Sequence, residues 1–92
     1  MGLIFEWDEK KATINKRKHC ISFGEASTAF GDPLSITIED PSHNENENRL
    51  ILIGKSEVFN TLVVIHIEKR EIIRIISARK ATNKEQKLYE EY

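Results

Sequence analysis

Arg74 stands in the middle of an apolar run, among Ile72, Ile73, Ile75 and Ile76. An unpaired charge in such surroundings costs several kcal/mol, so Arg74 must be paired or must face a surface or ligand. The same run ends in Arg79-Lys80, directly before Thr82-Asn83-Lys84-Glu85, which has helix-start spacing. His66 is a titratable group inside a second apolar run, Leu62-Val63-Val64-Ile65-His66-Ile67. Arg49 opens a third, Leu50-Ile51-Leu52-Ile53. A guanidinium can hold a phosphate or fork onto a carboxylate, for Arg79 either Glu6, Glu68 or Glu85. Taken singly, each arginine is more simply a structural clamp, and His66 a hydrogen-bonded histidine near a strand end. Arg49, Arg74 and Arg79 with His66 on one sheet would be harder to dismiss.

Whether His66 and Arg74 share a face depends on one residue of hairpin register. A two-residue loop around Lys69-Arg70 puts His66 opposite Ile73 and Arg74 on the other face. A three-residue loop or a bulge makes His66 and Arg74 partners. Lys69-Arg70 lacks the Asn or Gly that a primed two-residue turn prefers, which favours the pairing that brings them together.

Other groups carry weaker signals. His43 beside Asp40, Glu45 and Glu47 matches neither zinc nor EF-hand spacing and is expected to be a solvated loop. Cys20 has no CxxC partner, and as the single cysteine it makes no internal disulfide, which suits a reducing cytosol. Gly24, Gly31 and Gly54 are scattered, so no phosphate-binding glycine loop is present.

The elements that must position these groups follow from local patterns. Leu3 to Trp7 has strand character, and Asp8 is a good N-cap for a helix over Glu9 to His19 with a thin apolar stripe, Ala12 and Ile14. Ser22-Phe23-Gly24-Glu25 starts a second helix over Phe23 to Phe30, stopped at Gly31-Asp32-Pro33. Leu34 to Ile38 alternates as a half-buried strand, and Asp40 to Asn48 is a polar loop. Strands follow from Arg49 to Ile53, Leu62 to Ile67 and Ile72 to Ala78, then a helix from Asn83 to about Tyr92. Short connections between the strands predict an antiparallel sheet. The order is β-α-α-β-β-β-β-α, an α+β fold with helices laid on a twisted sheet.

The 92 residues suffice for a single domain with one core. Nothing approaches the roughly 18 apolar residues of a membrane span, and no secretory signal opens the sequence. The net charge of −1 does not announce a nucleic-acid binder, but the charge is uneven. Asp8 to Lys18 and Glu68 to Lys80 are basic zones, while Glu39 to Glu57 is acidic. Either basic zone can hold a polyanion locally, although a solvated face is the commoner role of such a stretch. Direct operator binding is disfavoured by the charge and by the lack of a recognition-helix signal.

The whole pattern resembles the BrnT family of toxins. Phe5-Glu6-Trp7-Asp8-Glu9-Lys10-Lys11 with Asn15 and Lys18-His19 resembles the family's opening. Phe23, Glu25-Ala26, Phe30, Asp32-Pro33-Leu34, Arg49, Gly54, Val63-Val64 and His66 continue the resemblance, as does Arg74-Ile75-Ile76-Ser77-Ala78-Arg79-Lys80-Ala81-Thr82 with Glu85 and Tyr89. Lys69-Arg70-Glu71 departs from it, carrying no glycine where the family's hairpin often has one.

The resemblance implies a RelE-like fold and a cytoplasmic, metal-independent ribonuclease toxin of a type II toxin–antitoxin pair. A small BrnA-like antitoxin with a DNA-binding region would neutralise it, the complex reaching operator DNA only through the antitoxin. In that scheme His66 moves a proton, Glu68 is a second candidate for the same work, and Arg74 and Arg79 neutralise the phosphate. Arg49, Lys55, Arg70 and Lys80 position the RNA backbone as phosphate contacts. The alternative is a non-catalytic module that acts only by forming the antitoxin complex on operator DNA.

Overall fold

The structure is a computed structural model, describing residues 2–41 and 48–92. The polar loop with His43, Glu45 and Glu47 therefore lies outside the described residues. The elements are β1 (Ile4–Glu6), α1 (Glu9–His19), α2 (Phe23–Thr28), a 3-10 turn (Ala29–Gly31), β2 (Ile36–Glu39), β3 (Arg49–Lys55), β4 (Thr61–Lys69), β5 (Ile72–Lys80) and α3 (Asn83–Glu91). This is the expected α+β order. No helix among the described residues is long and apolar enough to cross a membrane.

Local chemistry explains the helix boundaries. The Asp8 carboxylate accepts from the Lys10 and Lys11 N–H groups and starts α1. Cys20, at φ 62°, stops it in the left-handed conformation that glycine usually supplies. Thr82 and Glu85 form a reciprocal capping box at the start of α3. β2 begins two residues later than alternation suggests. The Asp32 carboxylate accepts from Leu34 N–H at 2.9 Å and holds that segment in a turn.

The five strands run in the order β1-β5-β4-β3-β2. The sheet is mixed, not wholly antiparallel as expected, because β1 pairs parallel with β5. Short loops dictate antiparallel pairing only from β2 onward. β1 reaches β5 across most of the chain, so nothing forces a hairpin.

One face of the sheet carries α1 and α2. Leu62, Val64, Ile73, Ile75 and Ala78 pack there with Ile21, Phe23 and Ala26, and Phe5, Trp7 and Phe30 close the edges. On the other face Tyr89 of α3 packs with Ile53 and Val63, flanked by Ile36, Ile51 and Ala81. Gly54 is required at the close approach of β3 to the 3-10 turn. A Cβ there would lie 2.9 Å from Ser35 Cβ and 3.1 Å from the Ala29 carbonyl oxygen.

Past Arg74, the outer edge of β5 has no strand partner among the described residues, since β1 ends opposite it. Asn15 of α1 fills the gap. Its amide donates to the Ala78 carbonyl at 2.8 Å and the Ile21 carbonyl at 3.0 Å, and its oxygen accepts from Ala78 N–H at 3.1 Å. A buried side chain thus substitutes for a neighbouring strand and fastens α1 to the sheet.

Candidate functional site: an arginine-bearing sheet face

The register of β4 against β5 decides where the charged groups point. The hairpin closes through Arg70 and Glu71, with Lys69 opposite Ile72. Arg70 takes φ 60°, so a two-residue turn forms without glycine or asparagine. His66 consequently stands opposite Ile75, and Arg74 opposite Ile67. The expected sharing of a face by His66 and Arg74 is thereby corrected: they project from opposite sides of the sheet.

A bulge follows. His66 pairs with Ile75 and Ile65 with Ser77, leaving Ile76 as the extra residue of β5. On a regular strand, residues 74 and 79 would face opposite ways, because side chains alternate. The bulge reverses that parity. Arg74 is opposite Ile67 and Arg79 opposite Val63, two residues on one face of β4. Their backbones are separated by about four residues of rise, roughly 13 Å.

On that face a row runs across four strands: Glu6, Arg74, Ile67, Arg49. Arg49 and Arg74 flank Ile67 at two strand spacings, roughly 10 Å between backbones. Arg74 Nη1 donates to Glu6 Oε2 at 3.0 Å, and both side chains are nearly half exposed. Arg79 forks onto Glu85 with bonds of 2.7 and 2.9 Å. That fork holds Arg79 above its ordinary pKa and, together with the Thr82 N–H bond, pulls Glu85 down to about 2 despite partial burial. Tyr89 and α3 cover the Val63–Ile53 end of the face. At the other end Ile4, Ile38 and Ile72 are exposed and Ile51, Ile65 and Ile67 half-buried, so that half is open among the described residues.

His66 is fully enclosed on the opposite face, its ring edge-on to Phe30 at 4.8 Å. Nδ1 lies 3.2 Å from the Val64 carbonyl oxygen and Nε2 3.1 Å from Glu68 Oε2. Both neighbours are acceptors, so a neutral ring with one N–H donates to only one of them at a time. No RNA on the arginine face can touch this ring. Glu68 itself is exposed and lines a hollow of about 430 Å³ with Glu39, Asn48, Arg49 and Leu50. Lys55 is exposed at the far end of β3, Arg70 at the hairpin tip, and Lys80 on the face of Leu62.

The structure thus brings Arg49, Arg74 and Arg79 onto one face and separates His66, Glu68 and Lys80 from it. Glu6 is the neighbour that residue patterns missed as a partner of Arg74. Its pairing is parallel and non-local, and only its position in a short strand hinted at sheet membership.

A small α+β domain with an arginine-bearing open sheet face is a frame suited to holding a polyanion. A family model described as "Ribonuclease toxin, BrnT, of type II toxin-antitoxin system" matches residues 7–85, and this chain belongs to that family. Its fold is similar to the crystal structure of the Brucella abortus ribonuclease toxin BrnT. The TM-score is 0.65 at 23% identity, covering 90% of this chain and 99% of that one. No curated protein matches the sequence.

Proposed function

We propose that this chain is a metal-independent endoribonuclease that acts in the cytoplasm, inhibits translation by cutting RNA, and is neutralised in a hetero-oligomer with a BrnA-like antitoxin. Operator DNA is then reached only through the antitoxin. The observation that carries this reading is the β5 bulge, which puts Arg74 and Arg79 on the same sheet face as Arg49, Arg74 in its open half and Arg79 at the end that α3 covers.

RNA cleavage of this kind needs the 2′-hydroxyl deprotonated, the pentacoordinate phosphate stabilised and the leaving oxygen protonated. A phosphate seated over Ile67 receives guanidinium donors from Arg49 and Arg74. Glu6, already within hydrogen-bond distance of Arg74, accepts the 2′-hydroxyl proton as the 2′-oxygen bonds to phosphorus. The bond to the 5′-oxygen breaks, with that oxygen taking a proton from solvent water on the exposed face. Arg79 holds a phosphate further along β5, and Lys55, Arg70 and Lys80 steer the backbone as point charges. A second reading of the base rests on Glu68, which lies on the His66 face, is bonded to buried His66 and lines the same hollow as Arg49. There Glu68 takes the proton and His66 positions it.

The test is expression without antitoxin, with RNA decay and growth followed, and cleavage by purified protein in EDTA. Wild-type cleavage that persists in EDTA and disappears in an Arg74→Ala, Arg79→Ala double variant supports the reading. Equal behaviour of the two proteins sinks the site, and antitoxin binding without cleavage at any concentration leaves a binding module. Comparison of Glu6→Gln with Glu68→Gln identifies the base.

A further inference from the structure

Helix α1 is almost devoid of apolar residues, yet it is fastened to β5 by Asn15 at Ala78. It carries Lys10, Lys11, Lys16, Arg17 and Lys18 against Glu9 alone, in a chain whose net charge is −1. All five cations are exposed, and none of them forms an ion pair with another described residue. Helical spacing sets Lys10, Ile14 and Arg17 in one line, with Lys11 and Lys18 in a parallel line beside it. The inner face, Ala12, Asn15 and His19, points to the protein.

Helix stability accounts for only part of this charge. Cations in the last turn complement the helix dipole, as Arg17 and Lys18 do. Lys10 and Lys11 sit in the first turn, where the dipole opposes them, and no carboxylate among the described residues pairs with either. Four cations spread over about 12 Å of helix, with no internal partner among the described residues, form a surface matched to a flexible polyanion. Ile14, 57% exposed in the line of Lys10 and Arg17, gives that surface an apolar contact for a sugar or base.

Position adds to the charge. Asn15 binds Ala78, the residue next to Arg79, so α1 runs beside the strand that carries the candidate phosphate ligands. Because α1 packs on the face opposite the arginines, a strand of RNA leaving Arg79 must wrap round the edge of β5 to meet Lys10, Lys11, Arg17 and Lys18.

We infer that the outer face of α1 is a second RNA-backbone track, which holds the substrate strand beyond the cleavage site and makes affinity depend on RNA length. The inference rests on the ribonuclease reading for the identity of its ligand. It differs from that reading in the residues and in the observable. The cleavage face acts on a few nucleotides, whereas α1 contributes only when the strand is long enough to reach it.

The test uses the full chain and fully 2′-O-methylated RNA, which it cannot cleave, as a 20-mer and a 4-mer. Binding is followed by fluorescence anisotropy from 50 to 200 mM KCl for wild type and for Lys10→Gln, Lys11→Gln, Arg17→Gln, Lys18→Gln combined. The 20-mer is expected to weaken at least about tenfold, and its log–log salt slope to fall by about 0.7 for each phosphate no longer neutralised. The 4-mer should change less than twofold. Two paired variants, Lys10→Gln with Arg17→Gln and Lys11→Gln with Lys18→Gln, each give about half the effect and keep the test open if the combined variant misfolds. An unchanged 20-mer, an equal weakening for both lengths, or a weakening confined to the antitoxin complex each overturns the inference. Absence of cleavage of unmodified RNA by wild type sinks the ribonuclease reading alone, while length-dependent binding still stands or falls separately.

Discussion

In the proposed site Arg49 and Arg74 supply the charge at the phosphate, a role that should be separable from folding. The Arg74–Glu6 pair is nearly half exposed on both sides, so its loss should change stability by less than about 1 kcal/mol. Removing one transition-state donor typically costs on the order of a hundredfold in rate. Arg74→Ala is therefore expected to lower kcat about that much with an almost unchanged urea midpoint, and Arg74→Lys to recover only part of it, since a lysine gives a single point of contact. His66 should behave in the opposite way. Its ring is buried against Phe30, with hydrogen-bond partners at both nitrogens. His66→Ala leaves a cavity and strips a partner from Glu68, a loss of about 2–4 kcal/mol read by urea unfolding. For protein that remains folded, a rate within about tenfold of wild type makes His66 a positioning residue. A loss as large as that of Arg74→Ala would show that the ring reaches the reaction after all.

At the scale of elements, Asn15 is expected to matter more than its place on an exposed helix suggests. Its amide serves two carbonyls and its oxygen one N–H, so Asn15→Ala strands three buried backbone groups and should cost about 2–4 kcal/mol in chemical denaturation. Asn15→Asp should be no better near neutral pH, because a carboxylate cannot donate to the carbonyls of Ile21 and Ala78. The sequence made the capped elements plain: α1 runs from the Asp8 cap to His19, and α3 from the Thr82–Glu85 box. Their signals are local. What could not be read was non-local. The parallel seating of β1 on β5 leaves no mark in either strand, and Ile75-Ile76 looks like any apolar run although it contains the bulge. Residue type singles out the charges of the proposed site, Arg49, Arg74 and Arg79. Their grouping could not be read, because face membership turns on single residues of register at Arg70 and Ile76.

For the molecule as a whole, α3 ties stability and the proposed activity to the same contact. Arg79 is held by Glu85 at 2.7 and 2.9 Å, and the bond pulls the Glu85 carboxyl from 4.5 to about 2. A carboxylate whose pKa is depressed by folding adds stability above its unfolded value and loses it as pH falls through the folded one. The Glu85 contribution should therefore be intact near pH 5 and disappear between about pH 4.5 and 2. With its side chain 27% exposed, solvent screening leaves about 1–2 kcal/mol. Tyr89 works at the other extreme. Its hydroxyl donates to Asp32 at 2.6 Å, and that bond, reinforced by burial, pushes it up to about 12. The raised value means stability present below pH 10 and lost as pH rises toward 12. Glu85→Gln separates the two duties of α3, since glutamine keeps the capping box at Thr82 but not the charge-assisted fork onto Arg79. The variant should lose the acid-side slope in urea midpoints measured against pH, and about 1–2 kcal/mol at pH 7. It should also bind non-cleavable RNA several-fold more tightly at low salt, because Arg79 no longer has to leave a carboxylate to meet a phosphate. Tighter binding with lower stability would establish that folding and substrate compete for Arg79. Lower stability with unchanged or weaker binding would confine Arg79 to clamping α3.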